Sequence, residues 1–272
     1  GMAVTILDAM PGPAMGASFG NGRQLSYGYT DALASGDLLG KIPRLALGGD
    51  PAFKIYPTLD LASIRWKLQF LSNCTERKFR KNSLKGLELA RRSRDAMADL
   101  LAEHEIEFGR RTAGKMLLFG NEKSFARGRE IMEMKVRNQE RQMALSPDVA
   151  KEIEPALNAV ASPLVGVIYA PTEETGNAPQ FAEKLGDLIS REYGTSFRFN
   201  ASVSSLGSDS GSASVTLDTG EELRADIAIV CSGAAAGHLL RKTNIYIPIY
   251  PMKGYSFIAP ATAASPEVSI TD

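Results

Sequence analysis

Residues Ala3 to Asp8 (AVTILD) are apolar, rich in β-branched side chains and closed by an acid. Such a run reads as a strand buried on both faces of a parallel sheet, where neither face can present polar groups to water. Pro11 to Ser35 follows, dense in Gly, Ser, Asn and Tyr. Connections of about 4 to 6 residues are usual, and loops this long most often carry function or are disordered. A buried strand feeding a long polar loop restricts the chain to an α/β arrangement with a candidate site at the strand's end.

Downstream, helical and extended patterns alternate. Leu61, Ile64, Leu68 and Leu71 recur at helical spacing, and Leu84, Leu87, Ala90, Met97 and Leu101 share one face of a helix over 83–104, so both are expected to pack through apolar faces. Ile106 to Phe108 and Lys115 to Phe119 read as strands around a turn at Gly114, before a charged helix over 121–142. Leu164 to Tyr169 is strand-like, and Phe181 to Ile189 mark a helix stopped by Gly194. Three antiparallel strands are expected over 197–206, 213–217 and 222–224. Ile227 to Cys231 then reads as a buried strand ending at Ser232-Gly233, with Cys231 inside it, and Tyr246 to Ile258 as a further strand pair.

Composition narrows the function classes. Lys plus Arg and Asp plus Glu both number 31, so no net field draws in nucleic acid, and a small neutral or zwitterionic substrate fits better. Two cysteines, Cys74 and Cys231, form no disulfide framework, and with His104 and His238 they show no metal-ligand spacing. No apolar run reaches the length of a membrane span. The cytoplasm is the expected location, with membrane contact at most peripheral at the inner membrane. The basic residues between Arg77 and Arg94 read either as a solvated helix face or as a surface resting on anionic lipid.

An acid closing the second strand of a dinucleotide-binding βαβ unit accepts hydrogen bonds from ribose hydroxyls, and Asp8 stands where such an acid would, unless it is an ordinary turn residue. The loop after it, Gly16 to Tyr29, reads GASFGNGRQLSYGY. It resembles the flavin loop of D-amino-acid dehydrogenases, with Ser-Phe-x-Asn followed by Gln-Leu-Ser. Further segments match that family in order: LSNC (Leu71 to Cys74), IEPAL (Ile153 to Leu157), ETG (Glu174 to Gly176) with Gln180 and Phe181, FRFN (Phe197 to Asn200) and YPMKGYS (Tyr250 to Ser256).

The resemblance implies a mixed α/β fold in which a Rossmann-like lobe for FAD (1–40 and 166–243) surrounds a substrate lobe of antiparallel strands and helices (41–165 and 244–272). It implies oxidative deamination of a D-amino acid to a 2-oxo acid, with hydride transfer to flavin and electrons passed to a quinone, a respiratory-chain acceptor or oxygen. By the same resemblance Asp8 binds ribose, Ser18, Asn21, Gly22, Gln24 and Leu25 line the flavin or its phosphates, and Val203 meets the adenine. Ser232, Gly233 and Ala234 let the backbone approach the cofactor, and Tyr29, Lys253 and Tyr255 face the substrate. Core packing is the alternative role for Val203 and Tyr29. An exposed strand lysine beside a half-buried tyrosine is the alternative for Lys253 and Tyr255.

Seven residues before Asp8 cannot hold a first strand and a GxGxxG turn, and no displaced copy occurs elsewhere. Because helix N-terminal amides bind the pyrophosphate, the expectation is a fold truncated at both ends with severely weakened FAD affinity. Arg23 departs from the small residue usual at its place. Three readings therefore stand: a FAD-dependent D-amino-acid dehydrogenase, a catalytically silent piece that dimerises through uncovered surfaces, and a glycine or sarcosine oxidase-like flavoenzyme.

Overall fold

The computed structural model describes residues 1–40, 42, 60–209 and 211–272, and the expected lobe boundary near residue 41 lies at the edge of what it describes. In chain order the elements begin with β1 (Thr5–Leu7), β2 (Gln24–Leu25), α1 (Gly36–Leu39), α2 (Leu61–Asn73) and α3 (Glu76–Glu103). They continue with β3 (Lys115–Phe119), α4 (Glu122–Arg137), β4 (Met143–Leu145), α5 (Pro147–Ile153), β5 (Gly166–Ala170), β6 (Glu174–Thr175) and α6 (Ala178–Tyr193). The last are β7 (Ser196–Arg198), β8 (Val203–Asp209), β9 (Ser212–Leu217), β10 (Glu222–Ala225), α7 (Ala236–Arg241) and β11 (Ser269–Thr271). This mixed α/β chain divides into two packed units, one of Gly1–Gly20, Gly36–Cys74 and Ala182–Tyr255, the other of Asn21–Ser35, Thr75–Phe181 and Ser256–Asp272.

The second unit is built on a four-stranded sheet in the order β11-β3-β5-β4, with β5 antiparallel to both neighbours and β11 parallel to β3. Met116, Val167 and Val268 from this sheet bury themselves with Ala150 and Leu157, the latter from the 3-10 turn Pro155–Ala159. Strand alternation then turns Lys115, next to Met116, onto the opposite face, where it too is buried. The IEPAL segment ties this core together: Glu154 accepts from the backbone N–H of Ala156 (2.9 Å), Glu267 (2.7 Å) and Val268 (2.8 Å). Helix starts follow their capping residues, with Thr75, Asn121 and Ser146 each accepting from the backbone three residues on. Arg127 pairs with Glu76 at 2.6 Å, and Arg80 and Arg92 pair with acids one turn earlier, so part of the basic run of α3 is neutralised on its own surface.

In the first unit β1 runs parallel to β7, and β8, β9 and β10 form an antiparallel meander. A Gly194 in the left-handed region (φ 64°) ends α6. Several expectations are corrected here. β1 is only partly covered, because among the described residues it pairs with β7 alone. The expected strand over 197–206 is split, with Asn200 at φ 55° turning the chain between β7 and β8. Residues 227–231 form no strand, and Ile227, Ile229 and Cys231 are exposed. Residues 246–258 likewise form no strand and join no ladder among the described residues, and their contacts are made by side chains, the Tyr246 hydroxyl donating to Gln69 at 3.2 Å and the Tyr250 ring stacking on Trp66. Leu61, Ile64, Leu68 and Leu71, the apolar stripe of α2, are exposed, while Ser63 is the buried residue of that helix. In the second unit, Ile106 and Phe108 are buried, but their segment is irregular.

Candidate functional site

The flavin-like loop is drawn into the second unit by a two-stranded ladder. β2 pairs antiparallel with β6, setting Gln24 opposite Thr175 and Leu25 opposite Glu174, so the QLS and ETG segments form one small sheet. Before it, Asn21 accepts the N–H of Arg23 at 2.9 Å, and Arg23 adopts φ 55°. A left-handed residue at this place favours a small side chain, which accounts for Arg23 as a departure in backbone terms. Gly176 completes the ladder, since a Cβ there would stand 2.5 Å from the Phe108 ring and 3.3 Å from Leu25.

Beyond β2 the chain is pinned from several sides. Glu173 accepts the N–H of Tyr27 (3.0 Å) and of Gly28 (2.6 Å) on one oxygen. Lys135 of α4 donates to the Gly28 carbonyl at 2.8 Å and pairs with Asp31 at 2.7 Å, and Gln142 donates to the same carbonyl at 3.2 Å. Burial pushes the Glu173 carboxyl up, against the lowering effect of the Gly28 and Tyr27 amides and the Ser26 hydroxyl, and the Glu140 charge adds to the rise. Glu140 is itself buried, with Arg91 at 3.5 Å. Arg110 grips Glu174 through two hydrogen bonds of 2.9 and 2.6 Å, and the Tyr27 hydroxyl donates to the same carboxylate at 3.3 Å. Burial, then the charge of Glu174, pushes the Tyr27 phenol up to about 12.

Lys115 stands at the centre of this arrangement. Its ammonium donates to the Gln24 side-chain oxygen and lies 4.4 Å from the centroid of the Tyr29 ring. Burial lowers its pKa, against the field of Glu173. One buried cation thus touches an expected flavin-lining residue and an expected substrate-facing one. Sequence reasoning missed Lys115, Glu173, Lys135 and Arg110. The available signals were a lone lysine heading the apolar run KMLLF and a doubled acid before Thr-Gly.

The remaining candidates lie in the first unit, apart from Asn21 and Gly22, which are exposed at the start of the second. Asp8 follows β1 directly. Its N–H donates to the Arg198 carbonyl (3.0 Å), its own carbonyl accepts from Ala201 (2.9 Å), and its partly exposed carboxylate accepts the N–H of Met10 (2.9 Å). The partner of the Asp8 carbonyl, Ala201, stands two residues before Val203, the first residue of β8. Ser232, Gly233 and Ala234 enter a 3-10 turn, exposed, with Gly233 at φ 55° and open space where a Cβ would stand. Ser18 is exposed, and Lys253 and Tyr255 lie on an exposed irregular segment, the ammonium 5.3 Å from the Tyr255 ring. Among the described residues no three His, Cys, Asp or Glu side chains converge as metal ligands would, and no helix is long and apolar enough to cross a membrane.

The sequence profile of the FAD dependent oxidoreductase family matches residues 1–271. The chain belongs to this family. A D-amino acid dehydrogenase of Vibrio vulnificus is 33% identical over 266 residues, which cover 97% of this chain and 63% of that relative. A second, from Xanthobacter autotrophicus, is 33% identical over 275 residues, covering 100% of this chain and 65% of that relative. The chain therefore spans a little under two thirds of the length of these curated relatives. Among solved structures, glycine oxidase from Geobacillus kaustophilus superposes with a TM-score of 0.58 at 18% identity, over 89% of this chain and 52% of that one. The L-alpha-glycerophosphate oxidase of Mycoplasma pneumoniae with FAD bound gives 0.55 at 13% identity, over 88% and 50%. At such identities the likeness establishes the fold alone.

Family membership implies FAD. The residues present fit its adenosine end, because a partly exposed carboxylate follows a parallel strand at Asp8 and a left-handed Gly233 leaves its backbone open to close approach. The glycine-rich phosphate turn is not among the residues of this chain.

Proposed function

We propose that this chain forms part of a FAD-dependent dehydrogenase that oxidises a D-amino acid to the imino acid, which water then hydrolyses to the 2-oxo acid and ammonia. The observation that carries this reading is the single small sheet joining Gln24 and Leu25 to the ETG segment, with Lys115 bridging Gln24 and Tyr29. The relatives that match this chain over almost its whole length are called D-amino acid dehydrogenases. Bound FAD supplies the acceptor for the electron pair leaving the substrate's α-carbon. The chain's own residues bind and orient. In the first unit Asp8 would accept from the ribose hydroxyls, Val203 would present backbone to the adenine, and Ser18 and the Ser232–Ala234 turn would be further cofactor contacts; in the second, Asn21, Gly22, Gln24 and Leu25 would be the flavin-lining residues. Lys115 places a positive charge for the substrate carboxylate, Tyr29 gives its ring to one side of the pocket, and Lys253 and Tyr255 are the remaining candidates.

The visible spectrum of the purified protein, with and without added FAD, tests the cofactor step. Bands near those of protein-bound flavin are expected, and a colourless protein that takes up no flavin would refute activity for this chain by itself. Turnover of D-alanine above glycine and sarcosine, with a quinone analogue or oxygen as acceptor, is the expected substrate order. Preference for glycine or sarcosine would overturn it in favour of an oxidase-type pocket.

A further inference from the structure

The segment from Gln24 to Tyr29 reaches the site, yet the groups that fix its shape lie behind it. Gly28 is enclosed so closely that a Cβ would stand 2.9 Å from the Gln142 amide nitrogen and 3.2 Å from a carboxylate oxygen of both Glu140 and Glu173. All four polar contacts on the backbone of Tyr27 and Gly28 named above end on side chains of β-strand connections or of α4, the three from Glu173 and Lys135 buried and that from Gln142 partly so. Glu173 and Lys135 act in opposite senses on one residue: the carboxylate holds the N–H of Gly28 and the ammonium holds its carbonyl. Charge-assisted bonds of this kind, excluded from water, are stronger than neutral ones and fix the peptide plane between them. The next side chain is Tyr29, whose ring meets Lys115.

We infer that Glu173 and Lys135 are positioning residues that clamp the Gly28 peptide and thereby aim the side chains of Gln24 and Tyr29 into the site. Both act through the backbone, Glu173 on the Tyr27 and Gly28 amides and Lys135 on the Gly28 carbonyl. The inference rests on the reading of Gln24 to Tyr29 as the cofactor- and substrate-facing segment, and it deepens that reading by naming what holds the segment in register.

Hydrogen–deuterium exchange of the whole chain tests the clamp without needing flavin or turnover. In Glu173→Ala the amides of residues 26–31 should exchange about tenfold faster than in wild type, while those of β3 and β5 stay unchanged. Glu173→Gln keeps an acceptor oxygen for the two N–H groups, so it should restore protection to within about threefold. Lys135→Met supplies a second variant that leaves Glu173 in place and should loosen the same residues. Unchanged exchange in both Glu173→Ala and Lys135→Met, or an increase spread evenly over the unit, would overturn the clamp. In turnover assays the KM for the D-amino acid should rise about tenfold in Glu173→Ala with kcat within about twofold, and Glu173→Gln should recover most of the KM. A fall in kcat at constant KM would mean a loss of folded protein and would overturn the positioning role. A wild-type protein that binds FAD but ignores D-amino acids refutes the substrate reading, and the exchange result still decides the clamp.

Discussion

Truncating Glu154 should destabilise the second unit far more than a helix-end carboxylate ordinarily would. Its two oxygens take three backbone donors at 2.7 to 2.9 Å, two of which, Glu267 and Val268, bring β11 onto the edge of β3. Glu154 and Val268 are both buried, so in Glu154→Ala the Val268 donor loses its partner with little access to water, while those of Ala156 and Glu267 are partly buried. Each buried donor left unpaired costs about 1–3 kcal/mol, and with some relaxation at Ala156 the sum is about 3 kcal/mol. For a unit of this size that corresponds to a melting temperature lower by about 6–12 °C. Glu154→Gln keeps one acceptor oxygen and should lose about half as much. The pH dependence has a defined sign. Burial raises the Glu154 pKa, but the amides of Val268, Ala156 and Glu267 outweigh it and the carboxyl ends below its ordinary value. The stabilisation is then present above the unfolded-state pKa of about 4.3 and is lost as pH falls through the lower folded value. Thermal melts followed by circular dichroism between about pH 3 and pH 7 should show the gap between wild type and Glu154→Gln closing at the acid end. A melting temperature for Glu154→Ala within about 2 °C of wild type, with the Val268 amide still protected, would refute the tether.

Other consequences can be measured on the same protein. Lys115→Met removes a buried ammonium that, among the described residues, forms no ion pair, so it should raise the melting temperature by about 2–4 °C while raising the KM; a lower melting temperature would count against the cost assigned to burying that charge. Ultraviolet titration should find Tyr27 ionising at about 12, identified as the transition missing in Tyr27→Phe, and a normal value would show that the phenol is not buried against Glu174. Gly176→Ala forces Phe108 or Leu25 aside, and a loss of about 1–3 kcal/mol in stability is expected in chemical denaturation; a neutral substitution would mean the β2–β6 ladder is not closely packed there. Asp8→Ala should weaken FAD binding about tenfold in a flavin-fluorescence titration and change the melting temperature little, since its partly exposed carboxylate holds a local N–H, that of Met10; unaltered affinity would remove Asp8 from the cofactor's surroundings.

How far the sequence could be read depended on whether a pattern was closed locally. The helix from 61, the strand KMLLF and the strands near 213–217 and 222–224 carry their own period, caps and turns, and each appears close to where its pattern places it, whereas the helix expected over 83–104 begins seven residues earlier, at Glu76, where Thr75 caps it. The ETG and IEPAL segments were legible as family segments, but their roles were not. Glu154 and Gly176 act on partners more than 60 residues away, Phe108 and Val268 among them, and no local period encodes such a contact. The strands expected at 227–231 and 246–258 show the opposite limit. Their β-branched composition is a statement about what such residues tolerate once a neighbouring strand is present, and among the described residues none pairs with them.

The same distinction separates the two kinds of site residue. Asp8, Gln24 and Tyr29 stand in loops whose composition announces them, because a segment rich in Gly, Ser and Asn between regular elements is conspicuous in any sequence. Lys115, Glu173 and Lys135 do not announce themselves, since a lysine at the head of a strand or a glutamate in a turn is most often a solvated surface residue. What reveals them is burial of charge. A lysine or glutamate taken out of water needs a compensating partner, and here the partners are the backbone of Gly28, the side chain of Gln24 and the ring of Tyr29. The conspicuous loop has no regular hydrogen-bond ladder after Leu25, so its conformation is set by these inconspicuous charges from the sheet and from α4. The residues that face the chemistry and the residues that hold them in place thus belong to different classes of sequence signal, and substitutions at the second class should alter binding by the chain without changing any group that meets the substrate.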